Sequence, residues 1–294
     1  MMMRISERKP IEVPNMIPES ADSGILAKRD HKLRFGLALG AGGTKGFAHI
    51  GVLQVLTEHG IVPDMVAGSS SGAIVGSVYC IGTDLKRLEQ FVTGISIRQY
   101  MDFPNPFSAG LFKGDRFEEL LRLLTHDKAF GETLIPFLCT AVDAELGRLD
   151  ILDRGKLYRA VRASMSIPGI FRPAELDGRY YVDGGVIERV PCKALRDRGM
   201  DVVVGVDVGY QGEPVKPESM SAAEQVNQTI RIMQKEMMRY RRSQADLMLV
   251  PKVQYIRGPF QMDYAAESIA EGRRACTEVL PEIIRLTGQG SLQP

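Results

Sequence analysis

The chain has 294 residues, 44% of them hydrophobic and 25% charged, the proportions of a globular protein able to bury a substantial core. Its 37 lysines and arginines stand against 36 aspartates and glutamates, so the basic excess of a general nucleic-acid binder is missing. No run reaches the roughly 18 apolar residues of a membrane span, and "MMMRISERKPIEVPNMIPES" lacks the apolar centre of a secretory signal. Cys80, Cys139, Cys192 and Cys276 are scattered, with no metal-like spacing, and suit buried thiols in a reducing compartment. The cytoplasm is the expected location.

Residues 1–32 carry scattered charges and three prolines without periodicity and read as a loosely structured arm. Order begins at "RFGLALG", an apolar run of buried-strand length ending in glycine. A Gly-rich turn follows, then "FAHIGVLQVLTEHG", with apolar residues at helical spacing and a glycine stop. "DMVAGSS" and "GAIVGSVYCIG" repeat this strand, turn and helix order, which implies a parallel sheet with helices on its faces.

A charged helix is expected from Asp84 to Tyr100 and another after Asp115. "IPFLCTAVDAELGRLDILDRG" reads as two strands turning at Gly147, and "ELDGRYYV" as a hairpin. "DVVVGVDVG" is a buried strand, followed by a long charged helix near Ser221 to Arg241, the strand-like "ADLMLVPKV" and a helix from about Tyr264. Met220, Met233, Met237 and Met238 suit either core packing or a lipid- or partner-facing surface. Residues 288–294 read as a frayed tail.

Chemistry concentrates in three places. "GSSSG" fits G-x-S-x-G between a strand and a helix, the context of a nucleophile elbow: Gly68 and Gly72 leave room for the turn and Ser70 stands at its apex. The bland reading is a small-residue turn capping the helix. "GAGGTKG" offers backbone N–H groups at Gly42 and Gly43, with Lys45 beside them, as donors to an oxyanion. Its glycines do not reproduce G-x-G-x-x-G, and Lys45 is followed by glycine, which weakens the nucleotide-binding readings.

A serine hydroxyl needs a base. His31, His49, His59 and His126 all precede the middle of the chain, and only His126 follows Ser70, in a helix-end context, so an ordinary triad is disfavoured. Asp183, which ends "RYYV" and opens "DGG", is the better candidate, although taken alone it also suits a turn aspartate.

Together Gly42-Gly43-Thr44-Lys45-Gly46, Gly68-Ser69-Ser70-Ser71-Gly72 and Asp183-Gly184-Gly185 resemble the bacterial patatin-like phospholipase family, as do "VRASMSIPGIF" and "GLFKGDRFEELL". The resemblance spans about Arg34 to Leu286 and implies a hydrolase domain over residues 33–287. It further implies a three-layer α/β/α fold with a mostly parallel sheet, and a Ser70–Asp183 dyad that cleaves lipid acyl esters without metal or cofactor. Gly42 and Gly43 take the oxyanion role, supported by Thr44, Lys45 and Gly46, while Gly68, Gly72, Gly184 and Gly185 support the two loops. Ala41 departs from the family's triple glycine, Lys45 from its more frequent arginine, and Glu188-Arg189 from its asparagine-proline.

Phospholipids, lysophospholipids and short esters all fit these residues. Phe103, Phe107, Leu111 and Phe112 are candidates for an acyl path, and core or lid packing suits them equally. Peripheral contact at the inner membrane face stays open, because no strongly basic amphipathic helix stands out. A catalytically silent scaffold or regulator is the alternative from another class, with a nucleotide-binding module behind it. Nothing in the sequence fixes the oligomeric state.

Overall fold

The computed structural model describes residues 33–94, 110–214, 220–256 and 261–291, and the expected arm at 1–32 lies outside them. In chain order the elements are β1 (Phe35–Leu39), α1 (Ala48–Glu58), β2 (Met65–Ser69), α2 (Ser71–Cys80), α3 (Leu85–Gly94), β3 (Gly110–Phe112), α4 (Asp115–Leu124), β4 (Phe137–Asp143) and β5 (Arg148–Leu152). There follow α5 (Leu157–Ser164), β6 (Gly169–Phe171), β7 (Ala174–Leu176), β8 (Arg179–Asp183), α6 (Cys192–Asp197), β9 (Val202–Val206), α7 (Ala222–Arg241), β10 (Leu247–Leu249) and α8 (Ala265–Thr287).

The main sheet runs β10-β9-β1-β2-β4-β8-β7, with β5 also paired to β4. The strands from β10 to β4 are mutually parallel, whereas β5 and β8 run antiparallel to β4 and β7 antiparallel to β8. Side chains alternate across this sheet as the pleat requires. Phe35, Leu37, Leu39, Val66, Phe137, Val204 and Val206 join one core with α1, α2 and α8. Ala38, Ala67, Leu138 and Val203 face the other way, onto Leu195, Met200 and Met238. The three-layer α/β/α arrangement expected from the motifs is the one found, with α1, α2 and α8 on one face and α6 and α7 on the other.

Register along β4 positions the later loops. β2 pairs with β4 as far as Ser69 opposite Thr140, and β8 pairs with it at Ala141 opposite Asp183. β5 occupies one edge of β4 throughout Cys139 to Asp143, so β8 must use the edge that β2 has just vacated. A strand has only two such edges. The carboxyl ends of β2 and β8 therefore meet, one running up the column and the other down.

Several boundaries were readable from local chemistry. Gly147 takes φ 64° between β4 and β5, and Asp177 and Gly178 take φ 51° and 76° in the β7–β8 hairpin, as a two-residue turn of this hand demands. Ser221 caps α7 while Glu224 reaches back to its N–H, a capping box. The helix expected from Asp84 reaches Gly94, and the remainder of that expectation, with Phe103 and Phe107, lies outside the described residues. A small parallel pair, β3 with β6, has strands of three residues, too short for periodicity to register. Met238 is buried, whereas Met233 is half-exposed on the outer side of α7. Among the described residues, no helix is long and apolar enough to cross a membrane.

Helices α1 and α8 cross backbone to backbone. A methyl at Gly272 would lie 1.9 Å from the Ala48 carbonyl oxygen, and one at Gly51 2.0 Å from that of Ile269. Overpacking of this kind costs about 1–3 kcal/mol and more where neither backbone can yield. Gly272→Ala should accordingly lower the unfolding free energy by that order, seen as a lower urea midpoint with little change in slope; an unaltered midpoint would rule out so close a crossing.

Candidate active site

β2 ends at Ser69 and α2 begins at Ser71, leaving Ser70 alone at the apex with φ 54° and ψ −120°. Such a backbone costs a non-glycine residue about 1–3 kcal/mol and persists only where its surroundings enforce it. Its N–H donates to Ser164 Oγ at 3.0 Å, and its carbonyl accepts the N–H groups of Ala73 and Ile74 at 2.9 and 3.2 Å. The flanking glycines are required by close approach: a methyl on Gly72 would meet the Leu39 carbonyl oxygen at 2.0 Å, and one on Gly68 the backbone of Ala73 at 2.5 Å.

Asp183 arrives from the opposing strand end. Its Oδ2 accepts the Ser70 hydroxyl at 2.6 Å, its Oδ1 accepts the Gly185 N–H at 2.7 Å, and its own N–H donates to the Ser166 carbonyl at 3.0 Å. Ser70 and Asp183 are only 3% and 5% exposed. Burial pushes the Asp183 carboxyl up to about 6, against the pull of the bonds from Ser70 and Gly185.

The glycine-rich turn is fixed at its start. Gly40 donates its N–H to Val206, and its carbonyl accepts His49 Nε2–H at 2.8 Å and the Ser71 hydroxyl at 3.4 Å. His49 is fully buried, and desolvation lowers it to about 4, so the ring is neutral and serves as a pin on the turn. His59 bonds the Val55 carbonyl at the end of α1, and His126 lies exposed in a turn after α4. His31 is outside the described residues. Ala41 has no positive φ, but its N–H is committed to the Arg189 carbonyl at 2.8 Å. Gly42 and Gly43 follow it, the latter with φ 61°, and line one pocket with Lys45, Ser70 and Asp183. Thr44 and Gly46 line a neighbouring pocket, while Gly184 packs on the Thr140 carbonyl and Gly185 against Ala41.

Three positioning residues were not singled out in the sequence. Ser164 holds Ser70, Ser166 holds Asp183, and the buried Arg162 binds Ser166 Oγ at 2.5 Å together with the carbonyls of Lys113 and Arg172 at 2.8 and 3.2 Å. Their signal was "VRASMSIPGIF", a helix end rich in small polar residues before a proline turn. The Glu188-Arg189 departure also has a structural account. Arg189 pairs with Asp207 at 2.5 Å and the Tyr210 carbonyl at 2.9 Å, bracing the loop after β8 against the end of β9. Glu188 is buried 3.9 Å from Arg241, and burial pushes its carboxyl up.

Two cavities meet at Ser70. One, with about 740 Å³ of open space, is lined by Ala41, Gly42, Lys45, Asp183, Asn227 and Arg231 among others. The second, about 800 Å³, is walled by Phe91, Phe117, Leu120, Met165, Phe171 and Met262. Phe112, a candidate for the acyl path, backs Phe171 with ring centroids 6.2 Å apart, while the side chain of Leu111 lies outside the described residues. Among the described residues, no group of three or more His, Cys, Asp or Glu side chains is placed to hold a metal ion. The four thiols are buried and unbridged.

The patatin-like phospholipase profile matches residues 37–196. An uncharacterized NTE family protein of Mycobacterium bovis is 34% identical over 72% of this chain and 59% of its own length. Lysophospholipase NTE1 of Cryptococcus neoformans is 33% identical over 68% of this chain and 13% of its own. The chain thus spans less than two thirds of either relative. Among solved structures, VipD from Legionella pneumophila shares the fold at 14% identity, with a TM-score of 0.61 over 86% of this chain and 67% of that one. The match extends from β1 through the serine turn and the D-G-G loop into α6, and by it the chain belongs to the patatin-like phospholipase family.

Proposed function

We propose that this chain hydrolyses lipid acyl esters, with Ser70 as nucleophile and Asp183 as its general base. Family membership supports the lipase or esterase class. The observation that carries the finer reading is the 2.6 Å bond from Ser70 Oγ to Asp183 Oδ2, buried where a mixed cavity meets an apolar one.

Asp183 takes the hydroxyl proton as Ser70 Oγ bonds to the ester carbonyl carbon. The carbonyl oxygen becomes an oxyanion, for which the N–H groups of Gly42 and Gly43 and the amino end of α2 are the donors. The carbon–oxygen bond to the alcohol then breaks, and Asp183 returns the proton to the departing oxygen. Water repeats the attack on the acyl-serine through the same carboxylate, releasing the acid and restoring the Ser70 hydroxyl. A carboxyl held near 6 is ionised at neutral pH yet far more basic than an exposed aspartate, which is what proton transfer from serine requires. The apolar cavity takes the acyl chain.

Ser70→Ala and Asp183→Asn should each lower ester turnover by about a thousandfold or more in folded protein. Wild-type kcat/KM should rise with pH through about 6 and then level. Full turnover in either variant, or a flat profile across that range, would remove the dyad.

The same carboxyl has an effect on stability. Its folded value near 6 lies above its ordinary 3.8, so its favourable contribution is complete below 3.8 and lost as pH rises through 6. That loss amounts to about 3 kcal/mol. Asp183→Asn does not titrate, and its stability relative to wild type should therefore climb between about pH 4 and pH 7. Parallel urea curves for the two proteins across that window measure this directly; a constant difference would contradict the raised value.

A further inference from the structure

Helix α7 carries an apolar seam that the rest of the described fold does not cover. Val226, Ile230, Met233, Met237 and Tyr240 recur at steps of four, three, four and three residues, the spacing of a coiled-coil core. Val226, Met233 and Tyr240 are 58%, 51% and 78% exposed, and Ile230 and Met237 are half-buried. Among the described residues, none of the five joins a hydrophobic core, whereas Met238 of the same helix shares one with Leu195 and Val203. The helix is thus anchored by Gln228 and Met238 and capped at Ser221, away from the seam. Two heptads are marginal as isolated helices. On a helix already held by its domain, the ordering cost is met before anything touches the seam.

Width and charge choose the occupant. The seam is a strip about 80° wide on the helix surface, bounded by Thr229 and Glu236 on one side and by Asn227, Gln234 and Arg241 on the other. A helix lying in a bilayer surface presents a broader apolar face beside a basic excess. The exposed charges of α7 are instead Glu224, Glu236 and Arg239, and the last two pair with each other at 3.0 Å. Ile230 and Met237 take the a positions of the repeat and Val226, Met233 and Tyr240 the d positions, which places Glu236 at g and Arg241 at the following e. In a parallel pair g faces e of the other helix, so a second copy supplies an opposite charge to each. The pair of Arg241 with Glu188 spans 3.9 Å, beyond hydrogen-bond length, and leaves the guanidinium able to take a second carboxylate. We infer that two copies of this chain associate in parallel through α7, seam against seam. Ile230 also lines the mixed cavity beside Ser70, so the second copy's helix stands at the rim of the candidate site. The pairing holds whether or not Ser70 is the nucleophile.

Sedimentation velocity of the full chain across a concentration series reads the size of the assembly. Wild type should pass from one chain to two and no further, because a two-fold seam closes on itself. Met233→Glu sets two carboxylates against each other in the middle of the seam and should raise the dissociation constant about tenfold or more. Glu236→Lys faces a cation with Arg241 and should weaken the pair about threefold. Urea curves at concentrations where wild type is a single chain should barely move with either substitution, which separates lost pairing from lost folding. A wild type that stays single throughout, a dimer that Met233→Glu leaves intact, or open-ended growth would overturn the pairing, and no effect of Glu236→Lys would overturn its parallel direction. A single chain that sediments with phosphatidylcholine vesicles, and stops doing so in Met233→Glu, would give the seam to a bilayer and overturn the inference as well.

Discussion

Two strands that run in opposite directions end against each other on one edge of β4, and the candidate site depends on that collision. β2 stops at Ser69 opposite Thr140, and β8 stops at Asp183 opposite the next residue, Ala141. Because β5 holds the other edge, β8 has no alternative column, and the two chain reversals that follow open toward each other. Residues 113 apart in sequence are thereby brought to 2.6 Å. Gly68, Gly72 and Gly184 let the turns lie against Ala73, Leu39 and Thr140, where a methyl would collide with their backbones. Ser70 and Asp183 bond each other directly, with no third residue between them, and His49 holds the Gly40 carbonyl.

Holding a carboxylate in that position has an energetic cost that the surrounding elements absorb. Asp183 is desolvated, Ser70 occupies a strained backbone region, and His49 is buried as a neutral ring. The end of α5 addresses the first two together: Ser164 fixes the Ser70 peptide and Ser166 fixes the Asp183 peptide, with Arg162 anchoring Ser166. One short segment at the end of α5 thus holds both partners. The Arg189–Asp207 pair does the same for the mouth, tying the loop after β8 to the end of β9.

The parts legible in the sequence were those governed by local rules. Strand–glycine–helix alternation marked β1, β2 and their turns, and Asp177-Gly178 and Ser221-x-x-Glu224 marked a hairpin and a helix start. Chain order and local context set histidine aside as the partner of Ser70, and His49 bonds the Gly40 carbonyl. What escaped depends on distant segments converging. Arg162 has no carboxylate at helical spacing to announce it, and its partners come from carbonyls at residues 113 and 172. The apolar cavity draws Phe91, Phe117, Met165 and Met262 from four separate stretches, each reading as ordinary core. The commitment of the Ala41 N–H to the Arg189 carbonyl depends on the loop after β8, far along the chain, and leaves no local trace.

The place of β1 in the sheet has a consequence for how the chain is made. Its two neighbours are β2, which follows at once, and β9, whose start at Val202 pairs with Phe35 across 167 positions of sequence. Helix α1 likewise waits for α8 to cover its glycine seam. During synthesis the first strand therefore emerges with one edge unpaired until β9 has been made, and its helix stays uncovered until α8 follows. An apolar strand edge exposed for that long is a template for pairing with other chains. Closing the sheet by such long-range pairing is a slow step, since the loop entropy must be overcome before the contacts form.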